Sequence, residues 1–278
     1  IIRPLSQCMA ANEMVEISGI LNGTTNFILT KMINENMPFE DALKLAQDLG
    51  YAERNPEADV EGYDACRKIA ILSSLMCGKN VNYEDIYTEG ITKITSTDFV
   101  YAKAMNKTIK LLAQSKEEDG KFYAMVSPCM IGMDHPLSMV NDVFNAVFVH
   151  GNMLGDSMYY GRGAGKLPTA SAVVADVIDC AKHTEKRKLF GWGPAENDYV
   201  IDPTEQSSSL FVRAVVSDYN AVSEQLKNTF ADVQILNYDG ANEKEIAFVT
   251  PLMNEKNART KINALDIEIK NVLRVLDY

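Results

Sequence analysis

Apolar and polar positions alternate over residues 15–21 (VEISGIL), the two-residue period of a strand, and then change at Asn22-Gly23-Thr24-Thr25-Asn26 to the helical spacing of Phe27, Ile28, Leu29, Met32 and Ile33. A strand passing through small and hydroxylated residues into a helix leaves free backbone N–H groups at the helix start, a seat for a carboxylate or phosphate; a plain N-cap by Asn22 or Thr24 accounts for the pattern equally well. Upstream, Leu5, Met9 and Met14 fall on one side of a short helix predicted within residues 1–14. Downstream, residues 39–49 form a second amphipathic helix, closed by Gly50 as a C-terminal glycine, and residues 64–78 a third, with Ile69, Ala70, Ile71, Leu72, Leu75 and Met76. Residues 83–95 read as a loop leading to a strand, and 99–105 as a short helix capped near Ser96 or Thr97. Three alternating strands follow at 107–115, 122–131 and 144–150, the first two joined by the hairpin turn Glu118-Asp119-Gly120. Helices followed by sequential strands predict an α+β unit, with helices packed on one face of a mixed or antiparallel sheet.

At residues 157–160 a strand end meets Gly161-Arg162-Gly163-Ala164-Gly165-Lys166, then Pro168 and a long helix with Val173, Val174, Val177 and Ile178 expected inward. The glycines permit close backbone approach and the helix start favours an anion, but the GxGxxG fingerprint with its distant acid is absent, and a tight turn without ligand fits as well. Residues 183–205 lose periodicity and form a linker that Trp192, between two glycines, is expected to anchor. From residue 207 the pattern is regular: strand 209–217, helix 221–230, strand 232–236, a hairpin at Asp239-Gly240, strand 245–251, helix 254–265 and strand 269–276. This is βαββαβ, a ferredoxin-like unit whose sheet is expected to pair edge to edge with a copy of itself.

A chain of 278 residues is long for one domain and predicts two compact units. With 46% hydrophobic and 23% charged residues it has apolar mass for a sizeable core, yet no run approaches the ~20 apolar residues that span a bilayer. The start, IIRPLSQCM, lacks a secretion signal, so neither a secreted nor a membrane protein is expected. The net charge of −11 argues against a nucleic-acid partner. Five scattered cysteines (Cys8, Cys66, Cys77, Cys129, Cys180) read as reduced, buried thiols of a cytoplasmic protein, and three isolated histidines (His135, His150, His183) assemble neither a metal site nor a Ser/His triad by spacing.

The chemistry concentrates in residues 49–68, where Glu53, Glu57, Asp59, Glu61 and Asp64 face Arg54, Arg67 and Lys68 across a loop fixed by Gly50, Asn55-Pro56 and Gly62. At i and i+4, Asp64 and Lys68 share one helix face. A lysine beside a carboxylate, facing further carboxylates, suits an amine-bearing polar substrate and proton transfer. Spacing alone favours the plainer alternative, an exposed ion pair worth about 0.3–0.5 kcal/mol.

Three runs, ISGILNGTTNFILTKM, DLGYAERNPEADVEGYDACRKIAILSSL and YYGRGAGKLPTASAVVADVID, resemble the homoserine dehydrogenase family in that order, and the βαββαβ tail is similar to the ACT regulatory domain that many members carry. The resemblance implies NAD(P)-dependent interconversion of L-aspartate 4-semialdehyde and L-homoserine in threonine, methionine and isoleucine biosynthesis. It implies a substrate-binding and dimerisation domain over residues 1–182, including a return segment (about 158–182) of the nucleotide-binding domain, a linker at 183–206 and an ACT domain at 207–278. In the family the residues matching Glu53, Asp59 and Thr24 line the substrate pocket, Lys68 is the acid/base or proton relay oriented by Asp64, and Gly161, Gly163, Ala164 and Gly165 lie against the NAD or NADP cofactor. The main nucleotide-binding half, and with it the family's monovalent-cation site, is expected upstream of Ile1, since the chain begins abruptly; alone it is expected to be inactive. A homodimer or homotetramer is implied, with an amino acid as effector at the ACT domain. In place of the domain's Asp-x-Pro-Gly turn the chain reads Asp218-Tyr219-Asn220-Ala221, which counts against threonine feedback and for a role in assembly. The alternative is a catalytically silent amino-acid sensor; retention of Glu53, Asp59, Asp64 and Lys68 favours the enzyme.

Overall fold

The computed structural model describes residues 1–185, 191–237 and 244–276. In chain order the elements are α1 (Ile2–Cys8), β1 (Met14–Ile20), α2 (Gly23–Glu35), α3 (Phe39–Asp48), α4 (Glu57–Val60), α5 (Tyr63–Cys77), β2 (Tyr87–Thr88), α6 (Ser96–Ala104), β3 (Lys107–Glu118), β4 (Lys121–Gly132), β5 (Phe144–Gly151), β6 (Gly155–Arg162) and α7 (Lys166–Lys182). They continue with β7 (Val200–Ile201), β8 (Ser207–Val215), α8 (Tyr219–Thr229), β9 (Gln234–Leu236), β10 (Glu245–Val249), β11 (Met253–Asn254), α9 (Glu255–Asn263) and β12 (Glu268–Leu276). The first helix ends at Cys8 instead of continuing toward Met14, which already belongs to β1. The cap of α6 is Thr95, one residue ahead of the predicted position, in a reciprocal capping box with Asp98.

One sheet runs through the whole chain in the order β6-β5-β1-β3-β4-β12-β8-β10-β9. The pairs along β6-β5-β1-β3-β4 are antiparallel, and α2 and α5 pack on the sheet through a core that includes Ile17, Phe27, Ile28, Ile69, Leu72, Ile109 and Val126. The tail has the β12-β8-β10-β9 order of a ferredoxin-like unit, with α8 and α9 burying Val222, Leu226, Ala258 and Ile262 against it. The predicted turn at Asp239-Gly240 lies outside the described residues. One edge of this unit is occupied within the chain, since β12 pairs in parallel with β4, Arg274 opposite Cys129 and Leu276 opposite Ile131, while β9 ends the sheet at the other edge.

Two buried ionic networks lock the tail onto the rest. Arg213 of β8 donates to Asp98 of α6 (2.7 Å) and Glu245 (3.1 Å), while Asn271 donates to the second oxygen of Asp98 (2.9 Å). Arg274 of β12 donates twice to Glu255, each bond 2.8 Å, and to Ser127 Oγ of β4 at 3.0 Å, with its guanidinium over the Tyr87 ring. The linker is anchored by its tryptophan as expected, Trp192 Nε1 donating to Asn80 Oδ1 at 3.0 Å.

Two expectations are corrected. Helix α7 buries none of its residues; Val173, Val174, Val177 and Ile178 are 48–62% exposed, and its ion pairs with Arg3 (Asp176, 2.7 Å; Asp179, 3.6 Å) hold it by its polar side. The apolar stripe that the sequence carries therefore faces no described residue of this chain. The cysteines are not uniformly buried: Cys66 and Cys129 are, Cys77 is half-buried, and Cys8 and Cys180 are exposed because they lie on α1 and the uncovered α7. All five are free.

Candidate active site

The switch from strand to helix at residue 22 builds the centre of the site. Asn22 is extended (φ −127°, ψ 117°) and caps α2, its Oδ1 accepting from the Thr25 backbone N–H at 2.9 Å. That orientation aims its Nδ2 away from the helix at two carboxylates, Asp59 Oδ1 at 2.7 Å and Asp64 Oδ2 at 2.9 Å. One carboxamide thus satisfies the helix start and clamps the acidic loop.

The loop reaches Asn22 because it is folded tightly from both ends. Thr24 Oγ1 donates to the Tyr51 carbonyl at 2.7 Å, and residues 57–60, within the stretch expected as a loop, coil into the short helix α4. Gly62 then supplies the left-handed turn, φ +83°, that starts α5. Asp64 lies in the first turn of α5, where the helix dipole favours a carboxylate, and Lys68 follows one turn on. Lys68 Nζ donates to Asp64 Oδ2 at 2.6 Å and to the Leu21 carbonyl, at the end of β1, at 3.1 Å. The Lys68 side chain remains 50% exposed and that of Asp64 33%. Asp59 Oδ2 and Asp64 Oδ1 take up no hydrogen bond from a described residue, so both open toward solvent.

Of the residues singled out in the sequence, Asp59, Asp64 and Lys68 converge. Thr24 is buried beside them with its hydroxyl committed to the Tyr51 carbonyl. Glu53 is exposed, its backbone carbonyl accepting from Gln47 Nε2 at 3.1 Å, and its carboxylate makes no hydrogen bond to the cluster. Gly161 lies half-buried near the end of β6, and Gly163, Ala164 and Gly165 form an exposed loop between β6 and α7; a β-carbon at Gly161 would meet nothing within 4 Å, an open backbone that a flat ring can approach. Two further asparagines belong to the site. Asn22 appeared in the sequence only as one of two cap candidates, and Asn145 of β5 gave no signal, because its partners are distant in the chain.

The floor beneath α2 is polar and buried. Asn26 Nδ2 donates to the carbonyls of Val140, Asp142 and Phe144 (3.0–3.1 Å), and its Oδ1 accepts from Lys110 Nζ at 3.2 Å. Lys110 also donates to the Val140 carbonyl (2.6 Å) and Asn141 Oδ1 (3.0 Å), and burial pulls its pKa down to about 8 despite the nearby Asp142 carboxylate. These bonds fix the α2 start, and through it Asn22, against the 140–144 loop.

Chemically the cluster offers two outward carboxylate oxygens for a cation and, beside them, an amine with a free hydrogen-bonding position. A lysine nitrogen makes three hydrogen bonds, and two are committed. Among the described residues no group of three His, Cys, Asp or Glu side chains is arranged to hold a metal ion. Two grooves, of about 560 and 840 Å³, lie elsewhere, and none of Asn22, Asp59, Asp64 or Lys68 lines either.

Residues 1–178 match the homoserine dehydrogenase family model. The chain is 36% identical over 290 residues to homoserine dehydrogenase of Bacillus subtilis, an alignment covering 99% of this chain and 67% of that protein. Its structure superposes on that of a homoserine dehydrogenase from Thiobacillus denitrificans with a TM-score of 0.81 at 32% identity, covering 99% of this chain and 67% of the other. A hyperthermophilic archaeal homoserine dehydrogenase mutant in complex with NADPH matches with a TM-score of 0.55 at 30% identity, over 68% of this chain and 54% of that one. The chain thus spans about two thirds or less of the length of these relatives.

Proposed function

The chain belongs to the homoserine dehydrogenase family, NAD(P)-using oxidoreductases, and from that premise we propose that Asn22, Asp59, Asp64 and Lys68 bind homoserine and carry the proton in its interconversion with aspartate 4-semialdehyde. The observation that carries the reading is the Asn22 carboxamide held between two carboxylates, one of which holds Lys68.

The outward oxygens of Asp59 and Asp64 meet the substrate ammonium, with Glu53 and Thr24 bordering the same pocket. In the oxidising direction a neutral Lys68 amine keeps its two N–H bonds, to Asp64 and Leu21, and turns its lone pair to the substrate hydroxyl. The hydroxyl proton passes to that lone pair as the C–O bond becomes a carbonyl, and the carbon-bound hydrogen leaves with its electron pair. The nicotinamide of NAD or NADP, when bound, supplies the acceptor for that hydride. In the reducing direction the third N–H of the ammonium protonates the alkoxide. Gly161, Gly163, Ala164 and Gly165 form one wall for the cofactor.

The uncovered stripe of α7 supports a return segment docked on a nucleotide-binding domain, and exposed Met153, Leu154, Met158 and Tyr160 on and beside the edge strand β6 support a homo-oligomer. The β12-β8-β10-β9 order supports an ACT domain at 207–278. Asp218 caps α8 through the Ala221 N–H (3.0 Å), so the start of α8 is closed without a Pro-Gly turn, and we assign the unit to assembly in preference to an amino-acid effector. Free cysteines fit a cytoplasmic enzyme, and no helix among the described residues is long and apolar enough to cross a membrane.

Calorimetric titration of the native protein with L-homoserine tests the binding half of the proposal. Saturable binding, weakened at least tenfold by Asp59→Ala, is expected; unchanged affinity in the variant would remove Asp59 from the site.

A further inference from the structure

We propose that Asn145 is a positioning residue that sets the distance between the glycine loop and the proton-transfer cluster. The inference rests on the dehydrogenase reading above.

Asn145 lies on β5 opposite Gly161 of β6, one residue from the end of their pairing. Its Nδ2 donates to the Ile20 carbonyl at 3.0 Å, and its Oδ1 accepts from the Gly163 N–H at 3.1 Å. The chemistry of the partners fixes which end is which, since one is a carbonyl and the other an N–H. The next carbonyl along the chain, that of Leu21 just past β1, is the one that holds Lys68. A single carboxamide therefore bridges the strand end that seats the proton carrier and the loop assigned to the cofactor.

Two features make the bridge stiff. Phe144, next to Asn145, stacks on Tyr160 with ring centres 5.0 Å apart and planes 14° from parallel, which fixes the β5–β6 register at this end. At Gly163 a β-carbon would lie 2.2 Å from Asn145 Oδ1, so any side chain there has to push the carboxamide off its bonds. Glycine at 163 thus leaves the Asn145 carboxamide in place, whereas at Gly161 the space is open. Hydride transfer is steep in donor–acceptor distance, and a misplacement near 1 Å costs on the order of a hundredfold in rate. Asn22 and Asp59 share no hydrogen bond with Asn145, so the two functions separate.

The test compares Asn145→Ala, Gly163→Ala and the double variant in the native protein. Amide hydrogen exchange at residue 163 is the readout independent of turnover, and it is expected to speed up at least tenfold in Asn145→Ala. In NAD(P)-linked oxidation of homoserine, kcat is expected to fall about 10- to 100-fold while homoserine Kd stays within threefold. A larger primary isotope effect with homoserine deuterated at the reacting carbon is expected as the hydride step becomes limiting. Gly163→Ala, which displaces the same carboxamide, is expected to give the same defect, and the double variant no more than either single one. Unchanged exchange at residue 163, or kcat and homoserine affinity falling together in step with lost thermal stability, overturns the positioning role alone. Absence of homoserine oxidation in the unsubstituted protein overturns the dehydrogenase reading and this proposal with it.

Discussion

Lys110 links the stability of the site's floor to pH in a direction that can be worked out from its surroundings. It is buried under α2, its ammonium bonded to Asn26 Oδ1, the Val140 carbonyl and Asn141 Oδ1, and its pKa is lowered to about 8 from an unfolded value of 10.5. A lysine whose folded pKa is depressed binds its proton more weakly in the native state, so between the two pKa values the unfolded chain carries the extra proton and stability rises with pH. Below pH 8 both states are protonated and the contribution is flat; above 10.5 it is flat again at its higher level. Between pH 7.5 and pH 10 the gain is about 2 kcal/mol, from 1.36 kcal/mol per pH unit over most of that window. Urea unfolding followed by circular dichroism, on the native sequence and on Lys110→Met, isolates this group from the other lysines and tyrosines that titrate there. The native-minus-variant difference in unfolding free energy should grow by about 2 kcal/mol across that window. A difference that is constant, or that shrinks with pH, refutes the argument.

Two further perturbations probe how the site is held. Glu255→Ala leaves the Arg274 guanidinium buried without its carboxylate and is expected to cost about 3–5 kcal/mol in urea unfolding, whereas replacing both partners with Glu255→Met and Arg274→Leu is expected to cost less; equal losses would contradict the pairing argument. Val177→Glu on the uncovered stripe of α7 is expected to leave the stability of this chain within about 0.5 kcal/mol and yet to raise the Michaelis constant for the nicotinamide cofactor in the native protein; a large loss of stability in the chain itself would show that the stripe is covered within it.

The parts of the fold set by local chemistry are readable from the residues: the strand-to-helix switch at Asn22, the glycine stop at Gly50, the Glu118-Asp119-Gly120 hairpin and the βαββαβ order. What escaped depends on contacts between distant segments. Nothing local says that β12 joins β4 in parallel, because the pairing is stabilised by Arg274 finding Ser127 and Tyr87 more than 140 residues away. The valines of α7 carry a correct helical period, but period alone does not tell whether the partner lies in this chain. At the site, the i,i+4 spacing gave Asp64 and Lys68, and the resemblance gave Asp59. The roles of Asn22 and Asn145 follow from where each carboxamide points, and an asparagine's composition carries no sign of that.

The role of Lys68 as proton carrier is tested most directly by homoserine-dependent reduction of NAD and NADP by the native protein, beside its Lys68→Ala variant. Turnover is expected in the unsubstituted protein and a loss of about 10²- to 10⁴-fold in kcat in the variant, with calorimetric homoserine affinity retained within a few-fold. A fully active Lys68→Ala variant would reduce the Asp64–Lys68 contact to an ordinary surface ion pair and contradict the assignment of the proton to Lys68.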